Sequence, residues 1–257
     1  MQTEQTRGDI TKERLLDAAE QLFATEGLDV SSRRISQEAG QKNNSAMQYH
    51  FASRAALMEA LVARRMAPIN ARRRALLDAL VARGGSSSVP DLVAVLVVPL
   101  AEQAGGAPHG RAYLAFLAQV FARGLASSLL GPEHVSNDAF LDTLARLRVE
   151  LAHVPDDVFA ARIGLMGGQL VQAISNAERS LDGLVGDARH AALVAFTSEL
   201  VDYVVGGLVA PSHDAVSAVF AVACDDPEVY VEEGLGGAAG HLMEGIVRGV
   251  LGSVGRG

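Results

Sequence analysis

The sequence has little of what metalloproteins, secreted proteins and most enzymes contain. Cys224 is its single cysteine, which excludes a disulfide within one chain and a zinc site built from several cysteines. The seven histidines are scattered without metal-ligand spacing, and no GxSxG motif or phosphate-binding loop occurs. We therefore predict no metal, no cofactor and no enzymatic activity.

Long apolar runs are also missing. The longest nearly unbroken run, residues 92–101, has about ten residues, whereas a membrane helix needs roughly 20. The N-terminus is polar and charged where a signal peptide needs an apolar segment. We expect a soluble, cytoplasmic protein that has no membrane partner.

The composition favours helices over strands. Hydrophobic residues make up 49% of the 257 residues and charged residues 20%, while Ala, Leu, Arg and Glu fill long stretches with few strand-like runs. This predicts an all-α fold, and the length allows a small domain joined to a larger one. We predict a DNA-binding domain in residues 1–55, a helical body in 56–210 and a C-terminal tail, with at most one helix, in 211–257.

Charge is distributed unevenly between the predicted parts. Residues 1–75 hold 12 Lys and Arg against 9 Asp and Glu, whereas the remainder holds 10 against 21. Both lysines, Lys12 and Lys42, lie in the first part. The asymmetry favours an N-terminal unit that approaches a polyanion and an acidic body that does not.

Two helices are predicted before residue 41. An apolar repeat at i, i+3, i+4 and i+7 begins near Thr11 and ends at Gly27. Ser31 or Ser32 can then cap a second, short helix, which ends at Gly40, where a left-handed residue is wanted.

A third short helix follows a tight turn, with Asn43 or Asn44 as its cap. Met47 and Phe51 lie four residues apart on one face and are predicted to be core. The opposite face is polar and includes Ser45, Gln48 and Tyr49. Two short helices joined by a glycine-containing turn form a helix-turn-helix, whose second helix fits the DNA major groove.

These signals resemble a known family. The segment TKERLLDAAEQLFATEGLDVSSRRISQEAG, followed by NNSAMQYHFASRAAL, is similar to the DNA-binding domain of TetR-type (tetracycline-repressor-like) bacterial transcription regulators. The resemblance covers about 50 residues, from Thr11 to Leu57. The chain departs from the family pattern at Ser36, where Ala is common, and at Gln41, where an apolar residue is common; the turn from Gly40 also looks one residue longer.

The resemblance implies roles for individual residues by position. Groove-facing candidates are Lys42, Asn43, Asn44, Ser45 and Gln48. Candidates for contact with the DNA backbone are Tyr49, His50 and Arg54, with Ser32, Arg33 and Arg34 as further phosphate ligands.

For the body, the family resemblance implies a small-molecule pocket whose occupant releases the protein from DNA. The apolar residues that could line it, each also compatible with plain core, are Met66, Phe116, Val120, Phe121, Phe140 and Met166. An effector bound among them would be largely apolar.

Two long helices at about 156–181 and 188–209 carry matching apolar stripes. Gly164, Gly167 and Gly168 lie inside the first and cost it roughly 1 kcal/mol each relative to Ala, which close approach of another helix can offset. We predict a homodimer through these helices, although the pair could instead pack within one chain. The predicted interface residues are Ile163, Gly167, Leu170, Ile174, Leu193, Phe196, Leu200 and Val204.

The sequence thus predicts a regulator, more specifically a repressor, that binds a palindromic DNA operator as a homodimer and is released by a small-molecule effector. The alternative is a helical dimeric sensor or scaffold without operator binding, which the net charge of −8 and the altered turn at Gln41 favour. The segment VYVEEGLGGAA resembles a dinucleotide fingerprint, but too few residues follow Ala239 for the βαβ unit that the motif needs.

Overall fold

The structure is a computed structural model that describes residues 7–41, 45–84, 87–105, 108–130 and 137–211. These ranges contain ten helices and no strand, so the predicted all-α fold is confirmed. The helices are α1 (Arg7–Glu26), α2 (Ser32–Glu38), α3 (Ser45–His50), α4 (Arg54–Ala82), α5 (Val89–Gly105), α6 (Pro108–Ala122), α7 (Ala126–Leu129), α8 (Asp138–Glu150), α9 (Asp156–Ser180) and α10 (Gly186–Val209).

The first three helices pack their apolar faces together. The helical repeat of α1 places its stripe inside, and the five side chains Leu15, Ala18, Ala19, Leu22 and Phe23 are all buried. The sequence predicted that this helix begins near Thr11. It begins earlier, at Arg7, and Thr11 lies within it. Gly27 has φ +95°, a left-handed conformation that ends α1 before α2 begins.

Helix α4 joins this unit to the rest of the chain. Ser53 caps it: its Oγ accepts a hydrogen bond from the Ala56 N–H at 3.0 Å. The helix continues for 29 residues through Pro68, which therefore does not split it. Buried neighbours on both sides, Met66 and Ile69, anchor α4 in the core, and this packing outweighs the local cost of about 3 kcal/mol of an interior proline.

Helix α5 is the centre of the body. Nine of its residues are buried, because α4, α6, α8, α9 and α10 all pack against it. A helix that is apolar on nearly all sides is expected at such a position.

Helix α6 ends at Ala122, and Gly124, with φ +67°, separates it from the short α7. The predicted tail, apart from residue 211, lies outside the described residues.

Helices α9 and α10 are, by length and composition alone, able to cross a membrane. Core helices of water-soluble proteins meet the same criterion, and both helices here pack against α5. The absence of a membrane partner stays a prediction.

Candidate nucleic-acid interface

Helix α2 is closed at both ends by local hydrogen bonds. The Ser31 Oγ accepts from the Arg34 N–H at 3.2 Å, so Ser31 is the cap. At the other end, Gly40 has φ +72°, and its N–H donates to the Gln37 carbonyl at 3.0 Å, while the Gln41 N–H donates to the Ser36 carbonyl at 2.8 Å. This pair of bonds is a Schellman motif, which fixes the direction of the chain as it enters the turn.

Helix α3 is held by two inward side chains. Met47 and Phe51 are each 5% exposed, as predicted for core residues. Ser45, Gln48 and Tyr49 lie on the exposed side, and Tyr49 is 84% exposed. Nothing within the described chain holds the Tyr49 side chain by a hydrogen bond, so its hydroxyl is available to a partner.

The two arginines of α2 have different surroundings. Arg34 pairs with Glu38 at 2.7 Å and with Glu26 at 3.1 Å, and the hydrogen bond to Glu38 is the main cause that raises the pKa of Arg34. Arg33 is exposed and makes no ion pair within the described residues. Arg34 therefore ties α2 to the end of α1, whereas the guanidinium of Arg33 is not engaged in an ion pair there.

The remaining predicted contacts lie at the edge of the same face. His50 is partly exposed beside Tyr49, with ring centroids 5.0 Å apart, and Ser32 is partly exposed at the start of α2. Arg54 donates a hydrogen bond to the Leu28 carbonyl, which anchors the start of α4 to the α1–α2 loop. Lys42, Asn43 and Asn44 lie outside the described residues.

A three-helix unit with this exposed face matches a known family. Residues 15–61 match bacterial regulatory proteins, tetR family. The N-terminal domain belongs to the tetR family. A tetR-type DNA-binding domain supports a role for the chain in transcription regulation.

Comparison of the whole chain with known proteins gives weaker similarities than the match of its N-terminal part. No curated protein matches it. Among solved structures, it is similar to SCO7518 of Streptomyces coelicolor A3(2), a proposed transcriptional regulator, with 22% identity, a TM-score of 0.34 and coverage of 74% of this chain and 98% of that one. A gamma-butyrolactone receptor (ArpA like protein) shows 20% identity, a TM-score of 0.38 and coverage of 77% and 100%. TM-scores below 0.5 do not establish a shared fold for the body.

The tetR-family domain is tied to α4 by a charged network. Arg64 reaches three carboxylates of α1: Glu13 at 3.0 Å, Asp17 at 2.9 Å and Glu20 at 2.8 Å. Arg65 also pairs with Glu20 at 2.8 Å. The Glu20 side chain is 1% exposed, so its carboxylate is desolvated. Charge-assisted hydrogen bonds from two arginines to this carboxylate fix the position of α1 relative to α4.

A second connection joins the tetR-family domain to α6. The Phe23 ring stacks on Phe116 with centroids 5.6 Å apart, and Gln119 Nε2 donates to the Phe23 carbonyl at 2.6 Å. Arg123 pairs with Asp29 at 2.7 Å across the same junction. Helix α6 is therefore joined to α1 and the α1–α2 loop by direct side-chain contacts.

The six predicted pocket residues are placed in different surroundings. Phe116 belongs to the junction with Phe23, and Phe121 contacts Gly167 of α9. Phe140 lies beneath the guanidinium of Arg73 at 5.4 Å. Met66 and Val120 are buried in the main core, and Met166 borders an outer groove. Their shared role as a pocket stays a prediction.

Four of the predicted dimer residues pack within their own chain, and their role in a dimer stays a prediction. Ile174 is 0% exposed, and a Cβ on Gly167 would lie 3.1 Å from Phe121 Cε1, so both face the body of their own chain. Ile163 is also buried, and Leu193 packs against Gly105 of α5. The close approach that compensates the glycine of α9 is therefore intramolecular.

An outward groove between α9 and α10 was missed. It is open, has a volume of about 1070 Å³, and its lining includes four of the predicted interface residues, Leu170, Phe196, Leu200 and Val204. Its rim carries Leu165, 63% exposed, and Tyr203, 64% exposed. Gly206 and Gly207 also line it, and a Cβ on either would meet nothing within 4 Å. These interior helix glycines were the signal in the sequence that could have indicated this face.

Metal binding has no support from the described side chains. Within the ranges that the structure describes, no three His, Cys, Asp or Glu residues gather as ligands.

Proposed function

We propose that this protein is a homodimeric repressor that binds a palindromic operator and is released by a small, largely apolar effector. Residues 1–55 form the DNA-binding domain in this proposal, 56–210 the effector-binding and dimerisation domain, and 211–257 the tail. The exposed polar face of α3 carries the proposal, because Gln48 and Tyr49 project from a helix whose opposite face is locked in the core.

DNA contact by this face follows from its chemistry. Gln48 can bond N6 and N7 of adenine in the major groove, and the Tyr49 hydroxyl can donate to a phosphate oxygen. Arg33 and Ser32 lie at the start of α2, where they can meet the sugar-phosphate backbone. The small excess of basic over acidic residues in the N-terminal part is compatible with DNA contact, because neutral donors provide part of the phosphate contact.

The decisive experiment is selection of random duplex DNA by the purified full chain, followed by sequencing. Salt is held fixed, because phosphate contacts make affinity strongly salt-dependent. We expect an inverted repeat whose half-sites lie about 34–36 Å apart or at a multiple of that distance. If folded dimer retained only random sequences, the sensor or scaffold function would replace the regulator.

Base reading by Gln48 can be separated from backbone contact by Tyr49. Gln48→Ala is expected to lose about 1–3 kcal/mol of discrimination at one base pair, whereas Tyr49→Phe should weaken binding to all sequences alike. Competition binding to the selected operator and its single-base variants measures both. Gln21→Ala, an exposed change on α1, is the control and should alter neither.

The groove between α9 and α10 is the proposed dimer contact. Exposed apolar side chains line it, and Gly206 and Gly207 allow another backbone to approach closely. A second copy presents the same face, as a two-fold interface requires. The Tyr203 hydroxyl lies 3.5 Å from Gln169 Oε1, at a weak contact that a partner can replace.

A charge in this groove is expected to disrupt the dimer. Tyr203→Asp and Leu165→Arg should each shift the chain to monomers at micromolar concentration, because an unpaired charge in an apolar contact is strongly unfavourable. Sedimentation velocity measures the shift. Val149→Arg, on the 73% exposed side chain of Val149 in α8, should leave the mass unchanged. A dimer that survives both groove variants would place the contact elsewhere.

Release from DNA requires the effector to favour a body geometry in which the two reading helices no longer match the operator. The contacts of α1 with α4 and α6 provide the physical connection. An effector that moves α6 would move α1 through Phe23 and Gln119, because the ring stack and the hydrogen bond at 2.6 Å join them directly.

A further inference from the structure

A buried cation in the body has no counter-ion among the residues that the structure describes. Arg73 of α4 is 5% exposed; its Nη1 donates to Asn70 Oδ1 at 2.7 Å and its Nη2 to the Leu96 carbonyl at 3.4 Å. Within the described chain, its Nε finds no acceptor, and no carboxylate lies at ion-pairing distance. Burial lowers the pKa of Arg73 to about 10, so the guanidinium is still charged at neutral pH.

Tyr113 of α6 is a second buried donor without an acceptor among the described residues. The residue is 0% exposed, and its hydroxyl makes no hydrogen bond within the described residues. The hydroxyl interacts electrostatically with Arg73, Glu20 and Arg65, and burial raises its pKa, so it remains protonated. Glu20 is already matched by Arg65 and Arg64, both at 2.8 Å, which leaves the charge of Arg73 unmatched.

An aromatic ring lies near each of these two side chains. The Arg73 guanidinium lies 5.4 Å from the centre of the Phe140 ring, and the Tyr113 ring lies 6.3 Å from that of Phe116. An isolated buried charge costs several kcal/mol unless an opposite charge or strong hydrogen bonds compensate it. Two buried donors without acceptors, one on α4 and one on α6, therefore favour an acceptor that carries negative charge.

We propose that Arg73 and Tyr113 form an internal anion site for the carboxylate of an otherwise apolar effector. A carboxylate can accept two parallel hydrogen bonds from a guanidinium and a third from the phenol. This inference rests on the proposed function in assuming an effector, and it narrows that effector to amphiphilic acids. Arg73 lies on α4 and Tyr113 on α6, and both helices contact α1, so the acid group binds where it can influence the DNA-binding domain.

The test compares octanoate with octanamide, which have the same chain length but differ in charge. Calorimetric titration of the full chain without DNA should show octanoate binding at least about tenfold more tightly, the effect of one charge-assisted hydrogen bond. Arg73→Met should abolish this preference. Arg72→Met is the matched control and should retain it, because Arg72 is exposed and pairs with Glu102 at 2.9 Å.

The variant Arg73→Met is expected to fold, since replacing an uncompensated buried cation by an apolar side chain is often neutral or stabilising. Tyr113→Phe provides a second test that removes one hydroxyl and should weaken octanoate binding several-fold. Equal binding of the two probes, or a preference that survives in Arg73→Met, would overturn the site. Binding of neither probe would mean that buried water alone meets these donors, and would overturn it too.

The absence of DNA keeps this result apart from the proposed function. A preference for octanoate in a chain that selects no operator would count against the repressor and leave the anion site standing. Operator binding without any preference for octanoate would count against the anion site and leave the repressor standing.

Discussion

Glu20→Gln is expected to lower the free energy of unfolding by about 3 kcal/mol, at the lower end of the loss when one partner of a buried ion pair is removed. The side chain of Glu20 is 1% exposed, while those of Arg64 and Arg65 are 20% and 23% exposed. The amide cannot compensate either cation, but water reaches both in part, which limits the loss. Urea unfolding of the full chain measures it.

The matched control for this prediction is Glu13→Gln. Glu13 contacts the same Arg64 from the same helix at 3.0 Å, but its side chain is 47% exposed. Water screens an exposed pair, so this change should cost less than about 1 kcal/mol. Losses of equal size in the two variants would show that burial of Glu20 does not determine the strength of the α1–α4 connection.

Phe23→Ala is expected to cost about 3–5 kcal/mol, the usual loss for a fully buried aromatic side chain. Phe23 is 0% exposed in the core of the tetR-family domain, and its ring also stacks on Phe116 of the body. The cavity would lie at the junction between the two parts, so effector-dependent release from DNA should weaken as well. Thermal unfolding and operator binding, with and without effector, measure the two effects.

Tyr49→Ala is the control for Phe23→Ala. Tyr49 is 84% exposed, so its removal should change stability by no more than about 0.5 kcal/mol while reducing affinity for DNA. A large stability loss in this variant, or unchanged DNA affinity, would contradict the assignment of the outer face of α3 to DNA contact.

Local patterns in the sequence were sufficient for the DNA-binding domain. The i, i+3, i+4 spacing predicted which side of α1 is buried, and serine hydroxyls at residues 31 and 53 act as caps. Gly40 takes the left-handed conformation expected at the end of α2. Such features depend on residues a few positions apart, so they can be recognised before the chain is folded.

Interpretation of the body needed information that the spacing of residues does not contain. The glycines of α9 predicted a close approach, and Gly167 and Gly168 lie near Phe121 of the same chain, some forty positions away. Gly206 and Gly207 of α10 are also glycines inside a helix. Only the tertiary structure shows that Gly167 lies against another side chain, whereas Gly206 and Gly207 are exposed.

The sequence by itself determined the all-helical class, the tetR-type domain with its caps and inward residues, and the polar outer face of its third helix, because periodicity and end chemistry act locally. Tertiary structure alone decided which charges are buried and which faces remain open. Glu20 looks like one more acidic residue on α1 until Arg64 and Arg65, more than forty positions later, enclose it. Arg73 likewise resembles its exposed neighbour Arg72 until the packing of α5, α6 and α8 removes its solvent.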